Sequence, residues 1–373
     1  MNYRYTLLTT FLFWITGMMA QLPVSQTPEN KNVVLEEYTG IYCTFCPDGH
    51  RIANQYKSAN PGDVVLINIH SGSFASPSGN DPDFRTTQGT LIASAAGIVG
   101  YPAGSINRRY FQQFSQGGGT AMSRGNWVTA GNVILGEASY VNIAMDATYD
   151  IATDKIHADV EMYLTGSLPS GSSLSLVVAL LQNNVEGPQV GSGSNPSQVL
   201  PNGNYNHSHM FRDLLSTSRF GDNIDFSAGP KASMSYTYDV PATIGDVATV
   251  PADMEVVAYL LEVPSYEIIT GCDTEMKVGF LSDDEFAVQN KLKVYPNPAT
   301  EVVYVNFHAE VSSNLEVEIF DLSGKLVKSV SRNNQGSGQQ SELIELHDLA
   351  TGSYILKANI GGNSTASKLI IQP

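Results

Sequence analysis

The sequence predicts an α/β unit followed by two all-β units. Three observations carry this. An apolar run, Val33-Val34-Leu35, leads through Glu36-Glu37-Tyr38-Thr39-Gly40 into Cys43-Thr44-Phe45-Cys46-Pro47, and a helix-like stretch from Asp48 to Ser58 follows. After about residue 138 the helical period gives way to strict alternation. Ser282-Asp283-Asp284-Glu285 then marks a boundary, beyond which Lys291 to Pro373 alternates again. The expected partition is 1–20, 21–137, 138–284 and 291–373.

Residues 1–20 read as a secretory signal: Arg4 supplies the positive end and Leu7 to Ile15 a short apolar core, too short and Thr-rich to span a bilayer. Ala20 is a plausible last residue before cleavage, Met18 is not the usual small residue, and Gln21 becomes the expected N-terminus. No cysteine follows the cut, which argues against a lipid-anchored start, and no later stretch is apolar over a bilayer's thickness. The expected product is exported and lacks a transmembrane span. The 373 residues exceed what one core holds. A formal charge of −16 repels phosphate backbones, so nucleic acid is not an expected partner.

Within 21–137, a strand at Val33 to Tyr38 precedes the Cys-x-x-Cys and its helix. A second strand follows at Val64 to His70, then a polar excursion, Ser71 to Pro82, and a helix-compatible stretch, Phe84 to Ala96. Val99 to Asn107 is a turn entering a strand, and Asn126 to Glu137 a closing helix. In the middle unit Val141 to Tyr149 and Ile156 to Leu164 alternate, as do Met234 to Val240. Leu174 to Leu181 and Met254 to Val263 are apolar on both faces and read as buried strands of a sandwich. Gly187 to Asn206 reads as a long, polar, mobile loop. In the tail, Val303, Val305 and Phe307, then Leu315, Val317 and Ile319, mark strands of a third, small sandwich.

Strand, Cys-x-x-Cys, helix is the arrangement of a thiol–disulfide redox site. Free N–H groups and the dipole at a helix start stabilise a thiolate. Outside the cytoplasm Cys43 and Cys46 can pair, which leaves Cys272 odd. Two readings stay open for Cys272, an apolar filler or a resolving cysteine. His207 and His209, two apart on a strand with Asp213 near in sequence, invite a metal reading, against which stands an exposed or hydrogen-bonded pair. Nothing else clusters there, so no metal or cofactor is expected. His70 reads as structural, and Asp81/Asp83 and Asp283/Asp284 as solvated loop charges.

Residues 33–137 resemble the thioredoxin superfamily. The resemblance implies that Cys43 is the exposed attacking cysteine and Cys46 the resolving one. It implies that Glu37, six residues before Cys43, is the buried acid that takes the resolving thiol's proton, and that Tyr101-Pro102 is the cis-proline loop lining the substrate groove. A plain exposed strand position is the other reading of Glu37. Tyr42 stands where thioredoxin has tryptophan, on the implied substrate face, and Thr44-Phe45 replaces Gly-Pro, which leaves the redox potential open.

The tail resembles the type A C-terminal sorting domain of the type IX secretion system of Bacteroidetes. The resemblance rests on Val294-Tyr295-Pro296-Asn297-Pro298-Ala299, Val317 to Val327 with Asp321-Leu322-Ser323-Gly324-Lys325, Leu349 to Leu356, and Lys368 to Ile371. It implies an immunoglobulin-like sandwich, passage through the periplasm to the cell surface, and the secretion machinery as a partner. Residues 33–263 resemble the twenty-eight-kilodalton outer membrane protein family of Bacteroidetes, through Glu37-Tyr38-Thr39-Gly40, the Cys-x-x-Cys, Ile69-His70, Gly100 to Gly104 with Ile106-Asn107-Arg108, and Asn206 to Arg212. That family is described as surface-associated. Two functions are thus expected: a secreted thiol–disulfide oxidoreductase or isomerase acting on protein disulfides, or a surface adhesion or receptor module in which Cys43–Cys46 is a fixed disulfide.

Overall fold

The computed structural model describes residues 24–279 except 152, and 292–372 except 310–312, 322, 323, 337, 361 and 362. The expected signal segment and the Asp283/Asp284 boundary lie outside the described residues.

The first elements follow the expected order: β1 (Val33–Thr39), α1 (Cys46–Ala59), β2 (Val64–His70), α2 (Thr87–Ala95), β3 (Ala103–Ile106), β4 (Ala121–Ser123) and α3 (Trp127–Leu135). α1 begins at the second cysteine because Pro47 suits the first helical turn, where its missing N–H is not needed. Thr86 caps the start of α2, its side chain accepting from Gly89 N. β1 pairs in parallel with β2 and antiparallel with β3.

β5 (Val141–Asp150), β6 (Lys155–Leu164), β7 (Ser173–Gln182), β8 (Val185–Gly187), β9 (Tyr205–His207) and β10 (Met210–Leu214) come next. After them run β11 (Asp222–Asn223), β12 (Lys231–Asp239), the small hairpin β13 (Thr243–Ile244) and β14 (Val247–Ala248), β15 (Met254–Val263), β16 (Glu267–Glu275) and β17 (Lys277–Gly279). The sheet does not break at the expected 137/138 boundary. One sheet runs β16-β15-β7-β10-β2-β1-β3-β4, with β11 added to β7. A second, β12-β6-β5-β17, packs against it.

The reason lies in the double-sided strands. On β7, Val177, Ala179 and Leu181 enter a core shared with Val34, Tyr38, Ile67 and Ile92, while Leu174, Leu176, Val178 and Leu180 enter the sandwich core with Val160 and Met162. On β15, Val257, Tyr259 and Leu261 go to the first core, and Val256, Ala258 and Leu260 to the second. These strands are the wall common to both layers. The opposite face of β1 and β2, Val33, Leu35, Val64 and Leu66, packs under α1 and α3 against Tyr56, Trp127 and Ile134.

The tail forms two further sheets. β18 (Lys293–Tyr295), β19 (Val302–Ala309) and β22 (Gly338–Glu345) make one; β20 (Ser313–Asp321), β21 (Leu326–Gln335), β23 (Gly352–Ile360) and β24 (Asn363–Ile371) make the other. Val303, Val305, Phe307, Val317, Ile319 and Leu356 fill its separate core. The described chain is thus β-rich and built from several packed sheets.

Candidate functional site

The strand-to-helix turn holds Cys43 and Cys46 in a disulfide, with Cα atoms 5.4 Å apart. Cys43 N donates to Gly40 O at 3.0 Å and Cys46 N to Cys43 O at 3.3 Å, so the loop is tied to the end of β1. The Tyr101–Pro102 bond is cis. A Cβ added at Gly49, in the first turn of α1, would lie 2.7 Å from Glu37 Oε1 and 3.1 Å from Pro102 Cγ. The helix start, the acid and the proline therefore meet at one point, and Gly49 leaves the room for them.

Glu37 is fully buried, so the exposed reading of this position is corrected. Among the described residues neither carboxyl oxygen has a hydrogen-bond partner. Burial pushes its pKa well above the ordinary carboxylate range, because a charge there would be desolvated. Beside it lies His50, which the sequence reading missed. It sits four residues after Cys46 on α1, and that i, i+4 spacing onto one helix face was the available signal. His50 Nε2 is 3.7 Å from Glu37 Oε1 and 2.9 Å from the Thr39 hydroxyl, and Nδ1 is 2.9 Å from the Tyr205 hydroxyl. Burial, with His207 nearby, holds the His50 pKa down to about 3.

The attacking cysteine was expected to be exposed, and this is corrected: Cys43 is 2% exposed and Cys46 0%. The cover comes from the segment expected to be a mobile loop. Gln189 Nε2 donates to the carbonyls of Gly40 and Cys43, at 3.3 and 3.1 Å. Val190 N donates to Ile41 O at 2.8 Å. Gly191, at φ 72°, lies so close to Thr44 that a Cβ would sit 2.1 Å from its carbonyl oxygen. The Gln189 side chain and the Val190 backbone thus satisfy the carbonyls of Gly40, Ile41 and Cys43.

Phe45 remains 61% exposed, with the Arg124 guanidinium over its ring. The Tyr101 hydroxyl is 3.1 Å from Ser71 Oγ, and its ring meets Phe74 edge-on. Tyr42 donates to Asp81 Oδ2 at 2.6 Å and accepts from Ser78 N, closing the 71–82 excursion. Asp81 and Asp83 are therefore engaged rather than merely solvated: Asp83 pairs with Arg85 at 2.7 Å.

His207 and His209 do not share a face. The chain turns at His209, which has φ 53°, so the two rings diverge. His209 Nδ1 bonds Glu255 Oε2 at 2.8 Å. His207 joins His70, Phe84 and Tyr205 in a buried ring cluster with centroids about 5 Å apart (5.2 Å for His70–His207). Burial lowers the His207 pKa to about 4 and that of His70 well below the usual histidine range. Asp213 instead accepts from the Tyr238 hydroxyl. Among the described residues no group of three His, Cys, Asp or Glu side chains is placed to hold a metal ion. Cys272 packs beside the sandwich core, and burial pushes its thiol up to about 12.

A disulfide face joined to a sandwich, followed by a separately cored β tail, defines a modular, β-rich, disulfide-bearing protein. Residues 91–269 match the model of the outer membrane protein Omp28 family, and residues 293–372 match the secretion system C-terminal sorting domain. The chain carries an Omp28-family region ahead of a sorting domain of the type IX route, and it is exported to the cell surface or outer membrane, or secreted. Among solved structures it is similar to HBP35 of Porphyromonas gingivalis, at 20% identity over 93% of this chain and 100% of that one, with a TM-score of 0.60. That likeness is one of fold. It also matches a domain of the outer membrane lipoprotein Omp28 from Porphyromonas gingivalis, at 18% identity over 38% of this chain and 90% of that one, with a TM-score of 0.26. No curated protein matches the sequence. Among the described residues no helix is long and apolar enough to cross a membrane.

Proposed function

We propose that this exported protein carries a thioredoxin-like unit, residues 21–137, whose Cys43–Cys46 pair is a thiol–disulfide oxidoreductase site acting on protein disulfides. The 138–284 unit is the sandwich that completes its sheet and covers the site, and 291–373 is the tail that engages the secretion machinery. In this reading the Cys43 thiolate attacks a substrate disulfide. Cys46, losing its proton to Glu37, then attacks Cys43 and releases the product. Tyr101, cis-Pro102 and Tyr42 border the substrate.

The observation that carries the reading is Glu37. A carboxyl buried without a hydrogen-bond partner destabilises the fold, by roughly 1–3 kcal/mol for an unsatisfied polar group. A disulfide serving only as a staple has no use for it. An acid with a raised pKa under the helix start and beside a cis-proline is arranged for proton transfer.

A second reading, a surface adhesion or receptor module with a structural disulfide, is favoured by one observation: Cys43 is 2% exposed beneath Gln189, Val190 and Gly191. One experiment separates the two. The chain from Gln21 is equilibrated in dithiol redox buffers, thiols are counted by alkylation and mass, and insulin reduction is assayed with Cys43→Ser as control. A potential above about −300 mV, with turnover lost in Cys43→Ser, is expected. A lower potential without turnover would overturn the enzyme and leave the staple.

A further inference from the structure

We propose that His50 is the positioning residue of the Cys43–Cys46 site: it holds the proton that Glu37 must give up before Glu37 can take one from Cys46. The inference rests on the redox reading above and deepens it.

The hydrogen bonds fix the tautomer. The Tyr205 hydroxyl donates its one proton to Gln198 Oε1 at 2.8 Å and accepts from Asn195 Nδ2 at 2.9 Å. The Asn195 orientation is set in turn, because its Nδ2 also donates to Gln198 Oε1, and Gln198 is itself oriented by its Nε2 donating to Asn206 O at 2.9 Å. Toward His50 the hydroxyl can therefore only accept, and Nδ1 carries the hydrogen. The Nε2 lone pair of the neutral ring then accepts from Thr39 and faces Glu37 Oε1, 3.7 Å away. A closure of about 0.6 Å brings that pair within hydrogen-bond reach, as catalytic contacts tighten on engagement.

Glu37 supplies the other half. As a neutral acid it cannot accept a proton, so it needs a base beside it. Among the described residues His50 is its one ion-pair partner. The titratable side chains around His50 are Glu37 from β1, Tyr205 and His207 from β9, and, across His207, His70 from β2. Both neighbouring histidines are kept neutral by burial, so no fixed charge competes for the proton.

The step balances as follows. With substrate bound to Cys43 as a mixed disulfide, the Glu37 carboxyl passes its proton to His50 Nε2. The resulting carboxylate, paired with imidazolium, takes the proton of the Cys46 thiol. The Cys46 thiolate attacks Cys43 Sγ, the Cys43–substrate S–S bond breaks, and the substrate sulfur leaves with the electron pair. His50 then gives up the Nε2 proton to the leaving thiolate and keeps the hydrogen on Nδ1. Glu37 and His50 return to their starting states, and the net change moves one proton from Cys46 to the product thiol.

The test uses the chain from Gln21, reduced and mixed with oxidised glutathione, with release of the second glutathione, the one freed when Cys46 attacks Cys43, followed in single turnovers from pH 5 to 9. His50→Gln is expected to slow release roughly 10²-fold, the low end for general acid–base participation, and to flatten its pH profile. Mixed-disulfide formation, measured in a Cys46→Ser background, is expected to be unchanged by it. A His50→Gln chain that releases glutathione at the parent rate and pH profile, while Glu37→Gln is slow, overturns the role of His50 and leaves the redox reading standing. A parent chain that never resolves the mixed disulfide overturns both. If His50→Gln does not fold, imidazole ¹⁵N shifts of the unaltered oxidised chain decide: hydrogen on Nδ1 supports the proposal, and hydrogen on Nε2 overturns it.

Discussion

Burying His50 as a neutral ring ties the stability of its surroundings to pH. Its folded pKa of about 3 lies below the ordinary 6.5. The unfolded chain therefore binds a proton near pH 6.5 that the folded chain refuses until about pH 3. Stability attributable to the neutral ring is fully present above pH 6.5 and is lost as pH falls through that window. Between pH 7.5 and pH 5 the loss is about 1.5 pKa units, or roughly 2 kcal/mol at 1.36 kcal/mol per unit. Glu37 acts with the opposite sign: its raised pKa means that the folded chain keeps a proton the unfolded chain releases, so its penalty grows as pH rises. The net pH dependence thus mixes opposing terms, and the informative quantity is a difference. His50→Gln removes one term and leaves the others, so on going from pH 7.5 to 5 it should lose about 2 kcal/mol less stability than the parent chain. In a chain lacking residues 1–20 the sole tryptophan is Trp127, buried in the core under α1 and α3. Urea unfolding followed by its fluorescence therefore reports on this region. Parallel parent and variant losses between the two pH values would refute the reasoning. His207→Gln, with a folded pKa of about 4, should behave alike, with a difference again near 2 kcal/mol.

Gly191→Val places a branched side chain at φ 72° against Thr44, a strain of about 1–2 kcal/mol. It should lift the cover and speed reduction of Cys43–Cys46 by dithiothreitol roughly tenfold; an unchanged rate would show that the segment does not limit access. Arg108→Ala strands the Glu36 carboxylate, which is 1% exposed and bonded to Arg108 at 2.6 Å, and should cost about 3–5 kcal/mol in the same Trp127 urea assay. A loss below about 1 kcal/mol would refute the reading that this buried pair holds the region together. Deleting Lys291 to Pro373 should leave the protein in the periplasm on cell fractionation, and arrival at the surface without the tail would remove its sorting role.

The local parts of the fold were legible because their signals are local. The strand before Cys43, the helix after Cys46 with Pro47 in its first turn, and the alternation of 141–164 each declare themselves within a few residues. The partner of a strand does not. The apolar runs of β7 and β15 showed that both faces are buried, but not that one face meets Val34 and Ile67 while the other meets Val160 and Met162. That sharing is why the sheet crosses the expected 137/138 boundary. His50 could have been found from its spacing to Cys46, whereas its bond to Tyr205 joins residues 155 apart in sequence and has no local trace.

The same long-range closure bears on what the disulfide face can do. Polar composition at 187–206 suggested a solvated loop, yet Gln189 and Val190 donate to the carbonyls of Gly40, Ile41 and Cys43. Those carbonyls lie in the turn between β1 and α1, which has no strand partner of its own and must find donors elsewhere. Tyr205, at the far end of the same segment, holds the Nδ1 hydrogen of His50. One segment thus shields the disulfide from outside and fixes a ring beside the buried acid from within. Moving it should change both access to Cys43 and the tautomer facing Glu37. The Gly191→Val reduction rate and the pH profile of glutathione release should therefore shift together, whereas a cover with no chemical role would alter only the first.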